Sequence, residues 1–224
     1  MILVTFALPA EGQPFERRLR RRVGRGPCLR GELHGTPVGV VYVGIGFKQQ
    51  DALKRCLDQC KPRLVICSGF AGSLRSLVRP GDFLIARNFS TVGSIQPYLD
   101  RAEAAGEFLN VTTVTSAAAK AGLSVSGSFL AIDMESAEVS RTCAAHGVPV
   151  LVARMISDAV DEEIPGLFLG RPLRHPRELV EAVRFAARML SLRARLAGRL
   201  SELIRPSAFT FASGDGPVQP EGRL

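Results

Sequence analysis

Three carboxylates in this chain stand where an apolar run gives way to polar residues. Glu11 follows the run from Ile2 to Leu8, and Glu135 lies in Asp133-Met134-Glu135-Ser136 after the run from Phe129 to Ile132. Asp158 closes Arg154-Met155-Ile156-Ser157-Asp158, directly after Val150 to Ala153. Each has a structural reading beside the chemical one. Glu11 could be a helix-start carboxylate, and Asp133 or Ser136 could cap a following helix whose dipole Glu135 would favour. Capping accounts for one acid of the Asp133 and Glu135 pair better than for both, and no helix obviously begins at Asp158. Three acids at three strand ends point to acid and base work on a substrate that passes through a cationic transition state. Two glycine segments, Gly44-Ile45-Gly46 and Ser68-Gly69-Phe70-Ala71-Gly72, also follow strand-like runs. Taken singly each is an ordinary turn, but together they would let backbone approach a ligand closely. Neither matches a phosphate-loop or dinucleotide fingerprint.

The elements that would position these residues alternate along the chain. A strand at Ile2 to Leu8 is broken by Glu11-Gly12-Gln13-Pro14, and helical spacing resumes from Phe15 to Val23. Cys28 to Leu33 and Val38 to Val43 read as a hairpin joined by His34-Gly35-Thr36-Pro37. A helix from about Phe47 to Gln59 is closed by Pro62, and Leu64 to Cys67 reads as a buried strand that ends at the second glycine turn. Further strands are expected at Asp82 to Ala86, Asn110 to Val114, Phe129 to Ile132 and Val150 to Ala153. Helices are expected at Gln96 to Gly106, Ser116 to Gly122, Glu135 to His146 and, after a Pro/Gly-rich connector at Pro165 to Pro172, Pro176 to Ile204. This pattern predicts an α/β fold: a single domain over residues 1–205 with a mixed, mostly parallel central β-sheet flanked by helices. Residues 206–224 have the composition of a disordered tail. In such sheets ligands sit beyond the carboxyl ends of the strands, where the acids lie.

Composition bounds the rest. With 224 residues, 46% of them hydrophobic, the chain can bury a sizeable core, and no apolar run reaches the length of a membrane span. The first residues are apolar too briefly for a signal peptide, so the cytoplasm is the expected compartment. The net charge of +8 comes mostly from arginine in two blocks, Arg17 to Arg25 and Arg171 to Arg205, where arginines alternate with apolar residues at helical spacing. Two solvated helix faces are expected there, with an anionic partner as the alternative. Tyr numbers 2 and Trp 0, which leaves little surface for base stacking, and no nucleic-acid partner is expected. The five cysteines contain no C-x-x-C pair and only 3 histidines accompany them, so core thiols are expected and no metal or other cofactor.

Five segments in order, Val43-Gly44-Ile45-Gly46, Ser68-Gly69-Phe70-Ala71-Gly72-Ser73-Leu74, Pro80-Gly81-Asp82, Ile132-Asp133-Met134-Glu135-Ser136-Ala137 and Arg154-Met155-Ile156-Ser157-Asp158, resemble the ordered motifs of the nucleoside phosphorylase superfamily. Within it they are most similar to the methylthioadenosine/S-adenosylhomocysteine nucleosidase type. The resemblance implies cleavage of the N-glycosidic bond of an adenine-type purine nucleoside. It implies that Asp158 protonates or hydrogen-bonds the purine N7, that Glu135 binds the ribose 2′-hydroxyl and favours the oxocarbenium-like transition state, and that Met134 packs on the sugar. Glu11 would orient or deprotonate the attacking water. Gly46, Phe70, Ala71, Gly72, Arg87, Arg154 and Ser157 are the further candidate binding residues. Arg154 would fix Glu135 by charge pairing or support Asp158.

The nucleophile is water or phosphate. Phosphate needs convergent arginine and backbone donors; a carboxylate at Ala10-Glu11-Gly12 suits water, and Arg87 at a strand end keeps phosphate open. Phe70 stands where these nucleosidases usually have a small polar residue, and the segment that reads adenine in them is replaced by Val114-Thr115-Ser116-Ala117-Ala118-Ala119-Lys120. That segment and Arg174-His175-Pro176-Arg177-Glu178-Leu179 look like the hopanoid-associated phosphorylase branch, which implies an adenosylated polycyclic lipid substrate and peripheral membrane contact. The family also implies a homodimer. A non-catalytic nucleoside-binding module on the same fold is the alternative from another class.

Overall fold

The computed structural model describes residues 1–24, 28–172 and 175–206. Its centre is a ten-stranded mixed sheet whose main path runs β2-β3-β4-β1-β5-β10-β6-β7. The strands are β1 (Ile2–Phe6), β2 (Arg20–Val23), β3 (Leu29–Leu33), β4 (Thr36–Tyr42), β5 (Leu64–Ser73), β6 (Phe83–Ala86), β7 (Ala104–Gly106), β8 (Phe108–Asn110), β9 (Ala131–Asp133) and β10 (Val150–Asp158). The central run β4, β1, β5 and β10 is parallel, while β3, β6 and β9 join antiparallel. All five residues of β1 and all nine of β10 are buried. Their apolar residues are covered on both faces, and Thr5, Arg154, Ser157 and Asp158 are buried among them. Of the helices, α1 (Pro9–Glu16) and α6 (Pro176–Leu203) cover one face, and α2 (Gln50–Cys60) and α5 (Ser136–Ala145) cover the other; α3 (Gln96–Leu99) and α4 (Ala117–Ser126) lie in connections.

Several expectations change. The stretch Glu11-Gly12-Gln13-Pro14 continues α1 instead of breaking the chain, with Pro9 at its first turn. Pro14 has no N–H to offer the carbonyl four residues back, and Arg193 of α6 fills that place by donating to the Ala10 carbonyl at 3.0 Å. The first arginine block is not a helix face. Arg20, Arg21 and Arg22 lie in β2, an exposed edge strand whose charges discourage further pairing. In the second block Arg184 and Arg195 are exposed as expected, but Arg188 pairs with Glu162 and Arg199 with Glu103. Arg25, Arg174 and the tail from residue 207 lie outside the described residues.

The hairpin turn is His34-Gly35, both with positive φ, so Thr36 and Pro37 already belong to β4. Ser68 to Gly72 is not a turn, since β5 runs through it in register with β10. Gln96 to Gly106 holds only the short α3 and then β7, and β8 ends at Asn110. Of the five cysteines, all free, Cys28, Cys56, Cys67 and Cys143 are buried and Cys60 is half-buried, 3.6 Å from Cys28 between sulfur atoms.

Candidate active site

Beyond the carboxyl ends of β1, β5, β9 and β10 the chain leaves a cleft of about 200 Å³. Of the residues picked out in the sequence, Glu11, Phe70, Ala71, Gly72, Met134, Glu135, Ser157 and Asp158 line it. Gly46 and Arg154 stand just behind the wall and hold those that do. Arg87 does not join them: it is exposed, and its Nε donates to the Ala105 carbonyl at 3.3 Å. Leu8, Ile45 and Val114 lie at the rim with their apolar side chains exposed.

One side of the cleft is organised by Arg154, which is 1% exposed. Its Nη2 lies 2.7 Å from Asp133 Oδ2 and 3.4 Å from Glu135 Oε2, and its Nη1 donates to the Ser68 carbonyl at 3.0 Å. Of its two expected partners it therefore takes Glu135, with Asp133 added, and not Asp158. Burial works against the guanidinium charge, but the facing Cys67, Asp133, Glu135 and Glu11 outweigh it and raise its pKa. Gly69, with φ +136°, makes the packing possible, since a Cβ there would fall 2.6 Å from Arg154 Nη1 and 3.3 Å from Glu11 Oε2. Glu135 Oε1 accepts the Gly46 N–H at 2.9 Å, and Gly46 reaches that position with φ +63°. Asp133 does not cap α5. Its Oδ2 accepts from Arg154 and the Ser136 hydroxyl, and its Oδ1 is buried without a protein partner.

Glu11 sits at the third position of α1, where its Oε2 accepts the Ala7 N–H at 3.1 Å and the Leu8 N–H at 3.4 Å. Removal from water raises its pKa to about 7, with Glu135 adding to the shift and Arg154 opposing it. Burial likewise raises Glu135, again against the pull of Arg154.

The other side is built on Asp158. Its Oδ1 receives the Ser157 hydroxyl at 2.5 Å and its Oδ2 receives Lys120 Nζ at 2.7 Å. Lys120 and Asp158 are 1% and 3% exposed, so this is an ion pair inside the protein. Nζ also donates to the Glu162 carbonyl at 2.7 Å and the Ala159 carbonyl at 2.5 Å. Lys120 is the residue the sequence reasoning passed over. It follows Ala117-Ala118-Ala119 on α4, a setting typical of an exposed helix position, and its partner is 38 residues away. Only a strand end with an otherwise unexplained acid hinted that a cation would be needed. Among the described residues no group of three His, Cys, Asp or Glu converges as a metal site.

Comparison with known proteins decides the lineage. The family model described as the phosphorylase superfamily matches residues 2–126, more than half of the chain. The chain belongs to the phosphorylase superfamily. The match ends in α4, so Glu135 and Asp158 lie beyond it, but likeness to solved structures extends further. S-adenosylhomocysteine nucleosidase from Streptococcus pyogenes, in complex with 5-methylthiotubericidin, superposes with a TM-score of 0.69 at 16% identity, over 89% of this chain and 94% of that one. The 5′-methylthioadenosine/S-adenosylhomocysteine nucleosidase from Helicobacter pylori, with butyl-thio-DADMe-Immucillin-A, gives 0.68 at 21% identity over 91% and 97%. The futalosine hydrolase of Helicobacter pylori gives 0.68 at 20% identity over 91% and 96%. At these identities the likeness establishes the shared fold. No helix among the described residues is long and apolar enough to cross a membrane.

Proposed function

We propose that this superfamily member cleaves the N-glycosidic bond of an adenine-type purine nucleoside with water as the nucleophile. The observation that carries the reading is the convergence of Glu11, Glu135 and Asp158, from distant parts of the chain, on one cleft. Asp158 binds the base at N7 and takes part in its protonation. Glu135 accepts the ribose 2′-hydroxyl and stabilises the oxocarbenium-like cation, with Met134 against the sugar. Glu11, with a pKa of about 7, is poised to take a proton from the attacking water near neutral pH. Arg154 holds Glu135 and Asp133 in place, and Ser157 orients Asp158.

Water is favoured over phosphate by the cations at hand. Among the described residues lining the cleft, Lys120 is the one cation, and its three N–H bonds already meet three acceptors. Phosphate would need a free cation or a cluster of donors. The solved relatives whose names include methylthioadenosine support an adenine nucleoside with a 5′-thioether. A second reading keeps the chemistry and enlarges the 5′ substituent: the exposed Leu8, Ile45 and Val114 at the rim favour an apolar group, up to an adenosylated polycyclic lipid.

The test incubates the full chain with 5′-methylthioadenosine, S-adenosylhomocysteine, adenosine and inosine, with and without phosphate, and identifies the products. Free adenine with the reducing sugar, at a rate independent of phosphate, is expected. Sugar 1-phosphate overturns the choice of water, and tight retention of nucleoside without turnover favours a binding module.

A further inference from the structure

The Lys120 and Asp158 pair poses a chemical difficulty. A purine leaves the sugar readily only if its N7 gains a proton as the bond to N9 breaks, yet Asp158 is held as a carboxylate. One oxygen receives an ammonium at 2.7 Å and the other receives the Ser157 hydroxyl at 2.5 Å. Burying a lysine is costly unless its charge is matched. Simple anchoring of the turn after β10 needs no ammonium, because a neutral donor would satisfy the Ala159 and Glu162 carbonyls. The arrangement has a further property: those two carbonyls occupy two of the three N–H bonds of Nζ, and only the third points at Asp158. A neutral amine keeps two N–H bonds, so Lys120 can give up the proton that faces Asp158 without leaving either carbonyl unpaired.

We propose that Lys120 is the proton source for the departing base and acts through Asp158. The inference rests on the nucleosidase reading above. As the C1′–N9 bond breaks, its electron pair moves into the purine, and Nζ passes a proton to the Asp158 carboxylate along the 2.7 Å hydrogen bond. The Asp158 carboxyl so formed delivers that proton to N7, which leaves Lys120 neutral and Asp158 again a carboxylate. The base departs neutral, and solvent entering the vacated cleft restores the proton to Lys120. The hydroxide equivalent on C1′ comes from the water deprotonated at Glu11. Lys120 acts through Asp158 and is a positioning residue.

The experiment compares two substrates on three proteins. One substrate is 5′-methylthioadenosine, whose base needs a proton; the other is 4-nitrophenyl β-riboside, whose phenolate leaves without one. The proteins are wild type, Lys120→Met and Lys120→Arg. Arginine keeps the charge and the donors but does not release a proton near neutral pH. Both variants are expected to lose about 100-fold or more in kcat on the nucleoside, the range of a general acid. KM should stay within about threefold, and the 4-nitrophenyl riboside rate within about threefold of wild type. Equal losses on both substrates overturn the proposal, because they mean that Lys120 only holds the turn. Restoration of the nucleoside rate by arginine also overturns it, because charge alone then suffices, and this arm decides the matter if the methionine variant fails to fold. A wild type that turns over neither substrate removes the nucleosidase reading, and the proposal falls with it.

Discussion

On one side of the cleft a single guanidinium, Arg154, faces the carboxylates of Asp133, Glu135 and Glu11. On the other a single carboxylate, Asp158, is matched by one ammonium and one hydroxyl. Both groups are buried, so both would be costly if unmatched. The imbalance makes them different instruments. Burial, with excess acid around it, raises Glu11 to about 7, so its proton is exchangeable near neutral pH, and burial lifts Glu135 as well. The one-to-one pair keeps its carboxylate fixed in direction between Lys120 and Ser157. The two sides together suit a reaction that withdraws a proton from a nucleophile at one end and supplies one to a leaving group at the other.

The largest effect is expected from breaking the crowded side at Arg154, its one cation among the described residues. Arg154→Met leaves Asp133 and Glu135 buried without their partner and should cost about 3–5 kcal/mol of stability, with activity falling to background. Chemical denaturation measures this, and a loss under about 1 kcal/mol would show that the cluster is solvated in solution. Next come Glu135→Gln and Asp158→Asn, each expected to lower kcat by about 100- to 10,000-fold on a purine nucleoside. They separate the two sides when the leaving group is changed. Glu135→Gln should be impaired on 4-nitrophenyl riboside too, because the sugar cation forms whatever departs, whereas Asp158→Asn should recover there. Recovery of both, or of neither, would erase the division of labour.

Glu11 gives a smaller effect with a definite sign. Its folded pKa of about 7 lies above the ordinary 4.5, so at intermediate pH the folded chain holds a proton that the unfolded chain has lost. The resulting stability is complete below the lower value and is lost as pH rises through about 7. Glu11→Gln should therefore leave stability unchanged near pH 4 and raise it by about 1–3 kcal/mol near pH 8, while lowering kcat by about 100-fold. In the wild type, kcat/KM should climb with pH through about 7 as the base ionises. Thermal melts and a pH-rate profile check both, and a flat stability difference would mean that Glu11 is as solvated as a surface acid.

The parts of this architecture legible in the sequence are those where one short segment carries its own reason. β1, apolar but for Thr5, and the Val150 to Ala153 half of β10 read as buried strands, the His34-Gly35 turn has the chemistry of a tight hairpin, and α6 shows its buried face in Phe185, Leu192, Leu196 and Leu200. The acids at the strand ends were visible for the same reason, since a charge after a buried strand is conspicuous. What stayed hidden depends on residues far apart. α1 runs through Pro14 because Arg193 supplies a donor from the other end of the chain. β5 continues through Ser68 to Gly72 because β10 pairs with it there, and Gly69 is needed for the guanidinium of Arg154 rather than for a turn. Asp133 looked like a helix cap and is a ligand of Arg154, and nothing beside Lys120 in the chain marks its buried pairing with Asp158. Local pattern finds elements, but ion pairs between elements leave no periodic trace.

The smallest effect is the one expected at Arg87, and it tests whether two ionic groups are enough. If water is the nucleophile, no third cation is needed, and Arg87 has another occupation: it is exposed and donates to the Ala105 carbonyl at 3.3 Å, outside the cleft. Arg87→Ala should therefore change kcat/KM by less than about twofold, within the range of surface substitutions, and leave the rate insensitive to added phosphate. Phosphate-dependent turnover in the wild type that the variant loses would bring Arg87 into the site. The nucleophile would then have its own cation, and the contrast between an acid-rich side that activates water and a balanced side that protonates the base would no longer describe the reaction.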